Sequence, residues 1–277
     1  MQALTDFVKE LLLKYPAKIL PGDFFLKLIV VYGWLFRLSG NRKALKSASL
    51  EKLSGIVLLR FFDGGEWRIV NPVRANRYIK GITHAGERLM RRYHLDLFNG
   101  IPSSFVDVGA NVGELSYWFA QKGCKVFAFE PDPKIFDILT RNLNKCNHVN
   151  IAKEALGENN GQMTFSTRSN SADSSLILGD DEPDPTVVDV VRFEEHSFAN
   201  EVALPSILKM DTEGYEPESL RGFGTKLGKF DFVAIDAGLE RLGESTRDDV
   251  EIILKELGMK LLPRTSNYIV NARKWDT

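Results

Sequence analysis

The stretch FVDVGANVG at residues 105–113 is followed by the amphipathic segment ELSYWFAQK at 114–122 and by KVFAFEP at 125–131. The apolar starts of the first and last segments predict buried strands, and the middle segment predicts a helix with one apolar face. Two parallel strands joined by a helix form a right-handed crossover, and the carboxyl ends of such strands border the ligand crevice of an open α/β sheet. The three segments therefore predict a ligand-binding α/β domain.

The turn between the first strand and the helix indicates which ligand binds. Glu130 ends the second strand about 20 residues beyond the turn, where an acidic residue accepts hydrogen bonds from ribose hydroxyls. The pattern Asp107-x-Gly109-x-Asn111-x-Gly113 differs from the G-x-G-x-x-G fingerprint of dinucleotide sites. Asp107 would repel a pyrophosphate and attract a cationic amino group. These features favour S-adenosylmethionine, a nucleoside with an ammonium and a sulfonium, over a nicotinamide dinucleotide.

Three motifs in the same order are similar to those of the FkbM family, a group of class I methyltransferases. They are VDVGANVG at residues 106–113, FEP at 129–131 and LKMDTEGYE at 208–216. The resemblance extends from about Asn71 to the end of the chain. It implies a Rossmann-like α/β class I methyltransferase fold, with a mostly parallel seven-stranded sheet closed by an antiparallel hairpin, and S-adenosylmethionine as the cofactor.

The resemblance also implies the reaction. Members of the family mostly methylate oxygen, on sugars of polysaccharides or glycoconjugates and on natural products, so a sugar hydroxyl is the leading expected acceptor. Leu239 departs from the family pattern, in which proline commonly precedes the Glu-Arg pair, here Glu240-Arg241. This departure leaves the path of that loop open.

Candidate cofactor-binding residues lie in the turn, at the acidic strand end and in the third predicted strand. A carboxylate inside an apolar strand is costly unless it is paired or hydrogen-bonded, and a cationic ligand would explain Asp107. The candidates are Asp107, Gly109, Ala110, Asn111, Gly113, Glu130 and Pro131, with Ala155 and Leu156 expected near adenine.

Carboxylates also follow the fourth and fifth predicted strands. Asp211, Glu213 and Asp236 are the candidate catalytic groups, because methyl transfer to a hydroxyl benefits from a base or from a metal that lowers the hydroxyl pKa. Asp211 and Asp236 are also tentative ligands of magnesium, which prefers oxygen, although the spacing shows no third ligand. The candidate substrate contacts are Glu216, Glu240 and Arg241, with a local surface ion pair as the alternative for the last two.

The remaining predicted elements complete the sheet and its helices. Strands are expected at residues 150–156, 163–167, 187–192, 206–210 and 230–235, helices at 134–146, 193–201 and 246–258, and a closing hairpin at 259–262 and 268–271. Polar loops are expected at 169–175 and 180–185.

The region before the sheet predicts a separate extension. Residues 1–85 are expected to form a helical segment, up to about residue 50, and a β-hairpin at 56–70, ahead of a methyltransferase domain at 86–277. The most apolar stretch, FFLKLIVVYGWLFRL at 24–38, is shorter than the roughly 20 residues that a membrane span needs. A helix packed on the catalytic domain is the favoured interpretation, and an interfacial helix that contacts a membrane is the alternative.

The composition of the chain excludes several other classes. The 277 residues are 44% hydrophobic and 26% charged, which is typical of a globular protein. A net charge of −1 argues against a general nucleic-acid binder. Two scattered cysteines, Cys124 and Cys146, and no signal-peptide pattern favour free thiols and a cytoplasmic location, with contact to the inner face of the membrane as an option through residues 24–38.

Two other functions compete with methyl transfer. One is a binding or scaffold protein that keeps the fold without catalysis, which the intact turn and Glu130 disfavour. The other is a nicotinamide oxidoreductase, which the missing glycine pattern disfavours.

Overall fold

The computed structural model describes residues 22–51, 55–166 and 185–274. These residues divide into two compact units, one up to Arg88 and the other from Leu89 onward. The predicted loops at 169–175 and 180–184, and the helical prediction before residue 22, lie outside the described residues.

The first unit contains a long helix and a small antiparallel sheet. Helix α1 spans Gly22–Leu38, and the sheet has the order β1 (Leu45–Glu51), β2 (Ile56–Phe61) and β3 (Glu66–Ile69). The predicted hairpin is therefore confirmed. The helical prediction up to about residue 50 is wrong for β1, because this polar segment pairs along the whole edge of β2. A 3-10 segment, Pro72–Tyr78, follows the sheet.

Helix α1 has apolar residues on two faces. One face is buried within the first unit, through Phe25, Leu26, Ile29 and Leu35, and packing of the helix on the catalytic domain stays a prediction. The other face leaves large side chains exposed: Phe24, Val31, Trp34 and Leu38. In the described part of the chain, no helix is long and apolar enough to cross a membrane.

The second unit is built on a seven-stranded sheet of order β12-β13-β11-β10-β4-β5-β6. The five strands from β11 to β6 run parallel, and β13 pairs antiparallel with both β11 and β12. This arrangement confirms the predicted Rossmann-like fold and its closing hairpin. The strands are β4 (Ser104–Val108), β5 (Lys125–Phe129), β6 (Val149–Ala152), β10 (Ser206–Met210), β11 (Phe232–Asp236), β12 (Met259–Leu261) and β13 (Ile269–Lys274).

The third predicted strand, residues 150–156, is wrong at its end. Strand β6 stops at Ala152, and β7 (Ala155–Leu156) joins a separate sheet of order β7-β9-β8, with β8 at Gly161–Ser166 and β9 at Pro185–Val191. The reason is that Ala155 and Leu156 pair with Val190 and Val191 instead of extending the β5 edge.

Helices of the second unit pack against the large sheet, whose strands are apolar and buried. Phe127 and Phe129 of β5 are fully buried, and burying a side chain of this size stabilises a fold by about 2–3 kcal/mol. Because β4, β5, β10 and β11 are parallel, their carboxyl ends meet at one edge of the sheet. The helices are α2 (Ile82–Arg92), α3 (Glu114–Ala120), α4 (Pro133–Leu143), α5 (Phe198–Glu201), α6 (Glu216–Phe223) and α7 (Arg247–Glu256).

Candidate active site

The glycine turn after β4 is shaped by its protein neighbours. Gly109 has a φ of +70°, and a Cβ at this position would lie 1.9 Å from the carbonyl oxygen of Asp211. The N–H groups of Gly109 and Ala110 both donate to the Phe129 carbonyl at 3.0 Å. Glycine is therefore required for the backbone of β4 to pass close to the loop that follows β10.

Asp107 is paired with a lysine of the neighbouring strand. Lys209 lies opposite Asp107 in the parallel register of β4 and β10, and its Nζ is 3.2 Å from Asp107 Oδ1. Ser116 Oγ donates to Asp107 Oδ2 at 2.7 Å. Both members of the ion pair are buried, with exposures of 1% and 4%. Lys209 thus supplies a cation for the buried Asp107 within the protein, and a contact between Asp107 and the cofactor stays a prediction.

The charge of Lys209 is maintained by its surroundings. Burial by itself would lower the pKa of Lys209, but the carboxylates of Asp107 and Asp211 outweigh it and raise the pKa. The ammonium also donates to the carbonyl oxygens of Gly109, at 2.8 Å, and Val108, at 3.2 Å. Lys209 therefore ties the turn to the ends of β4 and β10.

Glu130 lies at the carboxyl end of β5, as predicted, and is buried with 6% exposure. Its Oε2 accepts from the Asn111 N–H at 2.8 Å, and its Oε1 accepts from the Asp132 N–H at 3.0 Å. Burial raises the pKa of Glu130 to about 7, although these two N–H groups oppose the rise. Each carboxylate oxygen has a further lone pair, so the group can still accept hydrogen bonds from a ligand.

Two carboxylates stand side by side at the ends of β10 and β11. Met210 pairs with Ile235 in the register of these strands. Asp211, which directly follows β10, therefore lies next to Asp236, the last residue of β11. Tyr93 Oη donates to Asp211 Oδ2 at 2.5 Å, and among the described residues no hydrogen bond reaches the other oxygen of this carboxylate. Arg92 Nη2 donates to Asp236 Oδ2 at 2.8 Å.

Burial and the neighbouring charges shift the pKa values of Tyr93 and Asp236. Burial, followed by the charge of Asp211, raises the pKa of Tyr93 well above its ordinary value, so the phenol remains a donor. Burial and the charge of Asp211 also raise the pKa of Asp236, whereas Arg92 lowers it. The site therefore carries interacting carboxyl groups that are held by one neutral and one cationic donor.

Glu216 is a structural residue, and the substrate role predicted for it is wrong. It is fully buried. Its Oε1 accepts from the N–H groups of Thr212 and Gly214 at 3.0 Å each, and its Oε2 accepts from Thr246 Oγ1 at 2.8 Å. These bonds hold the turn after β10 and leave no surface for a substrate.

The two residues of the Glu-Arg pair point to different partners. Arg241 Nη2 pairs with Glu218 at 2.5 Å, and its Nε donates to the Gly214 carbonyl at 2.8 Å. For Arg241 the structure therefore favours the local ion pair over a substrate contact. Glu240 folds back over Gly238, where a Cβ would lie 2.3 Å from Glu240 Oε1.

A cavity of about 420 Å³ lies beside Asp236 and Glu240. Its other lining residues include Arg92, Leu239 and Tyr268. Glu240 Oε2 is buried and has no hydrogen-bond partner among the described residues. Burial, followed by the charges of Asp236 and Asp211, raises the pKa of Glu240 to about 7. The arrangement can bind a polar ligand next to the two strand-end carboxylates.

Residues 107–260 match the family model described as "Methyltransferase FkbM domain". This match covers more than half of the chain and spans the turn, Glu130, both strand-end carboxylates and Glu240. The chain belongs to the FkbM methyltransferase family. S-adenosylmethionine is accordingly the cofactor that the family implies.

Known proteins similar to this FkbM methyltransferase include a curated archaeal relative and two solved structures. "Hexuronic acid methyltransferase AglP" of Haloferax volcanii is 27% identical over 177 residues, which cover 61% of this chain and 70% of the relative. The magnesium protoporphyrin IX methyltransferase of Synechocystis PCC 6803 is 16% identical, with a TM-score of 0.39, over 69% of this chain and 79% of that one. Precorrin-6y C5,15-methyltransferase of Geobacter metallireducens is 13% identical, with a TM-score of 0.41, over 68% and 88%.

The other residues predicted to bind the cofactor, Asn111, Gly113 and Pro131, lie in or directly after the turn and the acidic strand end. Asn111 has a φ of +53°, and its side-chain oxygen accepts from the Val112 N–H at 2.9 Å. A Cβ on Gly113 would lie 2.7 Å from Leu139 Cδ1, so this glycine allows α4 to pack closely. Pro131 follows Glu130 and is half-buried. Their contacts with a cofactor stay a prediction, as does the catalytic role of Glu213, which has a φ of +54° in the turn after β10.

The adenine contacts predicted at Ala155 and Leu156 do not fit the structure. Ala155 is packed against Val188 and Val190, and Leu156 is 1% exposed in the main core. Both side chains are covered by protein because β7 belongs to the small sheet, and neither offers a surface to a base.

Three residues of the site were missed by sequence reasoning: Arg92, Tyr93 and Lys209. Lys209 carries a signal that was available, because a lysine between Leu208 and Met210 interrupts a strand that is otherwise apolar. Arg92 and Tyr93 carry no such signal, since they stand more than a hundred residues before the carboxylates that they bind.

Magnesium receives no support from the described residues, which contain no group of three or more histidine, cysteine, aspartate or glutamate side chains able to hold a metal ion. The two tentative ligands, Asp211 and Asp236, each have one oxygen engaged by Tyr93 or Arg92. Two histidines have other carboxylates as neighbours: His196 Nε2 lies 3.2 Å from Glu154 Oε2, and His84 Nδ1 lies 3.8 Å from Glu87 Oε2.

Proposed function

We propose that this FkbM methyltransferase transfers a methyl group from S-adenosylmethionine to a hydroxyl of a sugar, in a polysaccharide or glycoconjugate or in a natural product. The observation that carries the proposal is the pair of carboxylates Asp211 and Asp236 at neighbouring strand ends, the second of which lines a cavity. A base next to an acceptor pocket is what methylation of a weakly acidic hydroxyl requires.

The chain offers fitting groups for the cofactor. Bound there, S-adenosylmethionine would supply a methyl group activated by the sulfonium sulfur. Glu130 would accept hydrogen bonds from the ribose hydroxyls, since among the described residues its buried carboxyl is met by two backbone donors, those of Asn111 and Asp132. The turn at Gly109, Ala110, Asn111 and Gly113 would border the cofactor. The ion pair of Asp107 and Lys209 would stabilise this turn.

Asp211 is proposed as the general base. Tyr93 holds one of its oxygens, which orients the carboxylate and leaves the other oxygen to take the proton of the acceptor hydroxyl. Asp236 contributes by binding Arg92, whose guanidinium offsets the negative charge of the two carboxylates. The main catalytic contribution would be alignment of the hydroxyl with the methyl group, which accounts for several kcal/mol in such displacements.

A sugar as acceptor is supported by the relative from Haloferax volcanii, whose name states that it methylates hexuronic acid. The choice of oxygen as the methylated atom rests on the carboxylate next to the cavity, because a hydroxyl needs a base more than an amine or thiolate does. Glu240 remains a proposed substrate contact, since its carboxyl lies in the cavity wall.

The proposal also assigns the catalytic function to one part of the chain. Residues 86–277 would form the catalytic domain, and residues 1–85 an extension. A cytoplasmic location, with peripheral membrane contact through the exposed face of α1, stays part of the proposal; Phe24 and Trp34, at 47% and 48% exposure, are the residues that would touch the lipid.

The test is a calorimetric titration of the purified protein with S-adenosylmethionine, followed by transfer of a labelled methyl group to glycan acceptors. Wild-type protein and Asp211→Asn should both bind the cofactor, and only wild type should transfer the label. Normal transfer by Asp211→Asn would refute the assignment of the base. Absence of cofactor binding in wild type would favour the alternative, a binding or scaffold protein without catalysis.

A further inference from the structure

We propose that the cavity beside β11 is the acceptor subsite and that it binds an uncharged sugar ring. This inference rests on the proposed function and specifies its substrate class. The cavity measures about 420 Å³, which is within the range of ligand pockets in proteins. It is lined from three directions: by the loop after β11 with Leu239 and Glu240, by the segment before β13 with Tyr268, and by Arg92 at the end of α2.

The outer wall of the cavity is apolar and exposed. Leu239 is 56% exposed and Tyr268 is 48% exposed, and both line the same opening. Single exposed apolar side chains are common on protein surfaces, but two that flank one polar cavity provide a surface for a ligand with an apolar face. The C–H groups of a pyranose ring form such a face, which packs against an aromatic ring or a leucine.

The inner wall supplies hydrogen-bond acceptors. Asp236 and Glu240 place carboxyl groups in the lining, and Glu240 Oε2 is buried without a hydrogen-bond partner in the described part of the chain. A buried oxygen without a partner is unfavourable, so a donor that reaches it is bound with a net gain. Sugar hydroxyls donate hydrogen bonds, and several on one ring can reach both carboxyl groups together.

The charge of the lining decides against an anionic sugar. Arg92 is the one cation among the described residues that line the cavity, and its guanidinium is paired with Asp236 at 2.8 Å. Two carboxyl groups, those of Asp236 and Glu240, line the cavity together with this one arginine. A uronate would add another negative charge to this environment. The inferred preference therefore differs from the acid named for the Haloferax volcanii relative.

The experiment compares sugars that differ only at C6. Methyl glucoside and methyl galactoside are titrated against the protein, with S-adenosylhomocysteine present, by saturation-transfer NMR, and each is matched with its uronate. The neutral glycosides should bind at least about fivefold more tightly than the uronates, the order of effect expected from one like-charge contact near a protein surface.

Variants locate the binding within the cavity. Leu239→Ala and Tyr268→Ala should each weaken neutral-sugar binding about fivefold, because each removes part of the apolar wall. Glu240→Gln should weaken it about tenfold, because an amide N–H₂ replaces one of the two carboxyl oxygens that accept from the sugar. Leu204→Ala is the matched control, since Leu204 is 57% exposed outside the cavity lining, and it should leave sugar binding unchanged.

The outcomes separate this inference from the proposed function. Uronates that bind as tightly as the neutral sugars would overturn the inferred substrate class. Neutral sugars that bind equally well to Leu239→Ala and Tyr268→Ala would overturn the subsite, as would no sugar binding by a protein that binds S-adenosylhomocysteine. Failure of the protein to bind S-adenosylhomocysteine at all would instead count against the proposed methyl transfer.

Discussion

Lowering the pH should weaken the binding of S-adenosylmethionine through one carboxyl group, Glu130. Burial raises the pKa of Glu130 to about 7, so this group changes charge in the neutral range. Ribose hydroxyls donate to the ionised carboxylate, whereas a protonated carboxyl has lost an acceptor site. The cofactor therefore favours the ionised form, and the affinity should fall as the pH falls through the pKa.

The magnitude follows from the fraction ionised. With a pKa of about 7, roughly nine-tenths of Glu130 is ionised at pH 8 and about one-tenth at pH 6. Binding that requires the ionised form becomes about tenfold weaker across this range, which corresponds to about 1.4 kcal/mol. Glu130→Gln cannot ionise and brings an amide against the N–H groups of Asn111 and Asp132. Its affinity at pH 8 should be lower by about tenfold to a hundredfold and should not change with pH.

The assay is isothermal titration calorimetry at several pH values between pH 6 and pH 8. Glu240→Gln is the matched control, because Glu240 also has a pKa of about 7 but lines the cavity. This control should keep the pH dependence of cofactor binding that Glu130→Gln loses. A wild-type affinity that does not change with pH, or a pH dependence that persists in Glu130→Gln, would refute the assignment of Glu130 to the ribose.

Three further predictions concern the residues around the turn and the strand ends. Asp107→Ala leaves the buried ammonium of Lys209 without its carboxylate, and urea titrations should show a free energy of unfolding lower by about 3–5 kcal/mol. Adding Lys209→Met to this variant should restore part of the stability. Tyr93→Phe removes the hydrogen bond to Asp211, so turnover should fall about tenfold while calorimetric cofactor affinity stays unchanged. Magnesium or a chelator should leave cofactor affinity unchanged in calorimetry, because the described residues contain no cluster of metal ligands.

Each of these predictions has an outcome that contradicts it. If Asp107→Ala unfolds at the same urea concentration as wild type, the ion pair with Lys209 does not hold the turn. A Tyr93→Phe variant with normal turnover would show that Asp211 needs no orienting donor. Cofactor binding that strengthens on addition of magnesium would revive Asp211 and Asp236 as metal ligands.

The strand-turn-helix-strand unit at residues 105–131 could be predicted because its signals are local. The apolar runs, the glycines and the acidic strand end are neighbours in sequence, and the periodicity of each segment determines its own conformation. The position of Glu130 at the edge of the sheet follows from the same pattern and is confirmed. The positions of the later strands along the chain could be predicted for the same reason, and their mostly parallel arrangement from the resemblance to the family.

The tertiary structure alone decided which residues meet. The register of β4 and β10 places Lys209 opposite Asp107. Tyr93 donates a hydrogen bond to Asp211, 118 residues away, and Thr246 donates one to Glu216. Ala155 and Leu156 are not part of the main sheet, because they pair with β9, a strand about 35 residues further along the chain. Such contacts depend on packing and register between distant segments, which local periodicity does not encode, whereas the element that each segment forms depends mainly on its own residues.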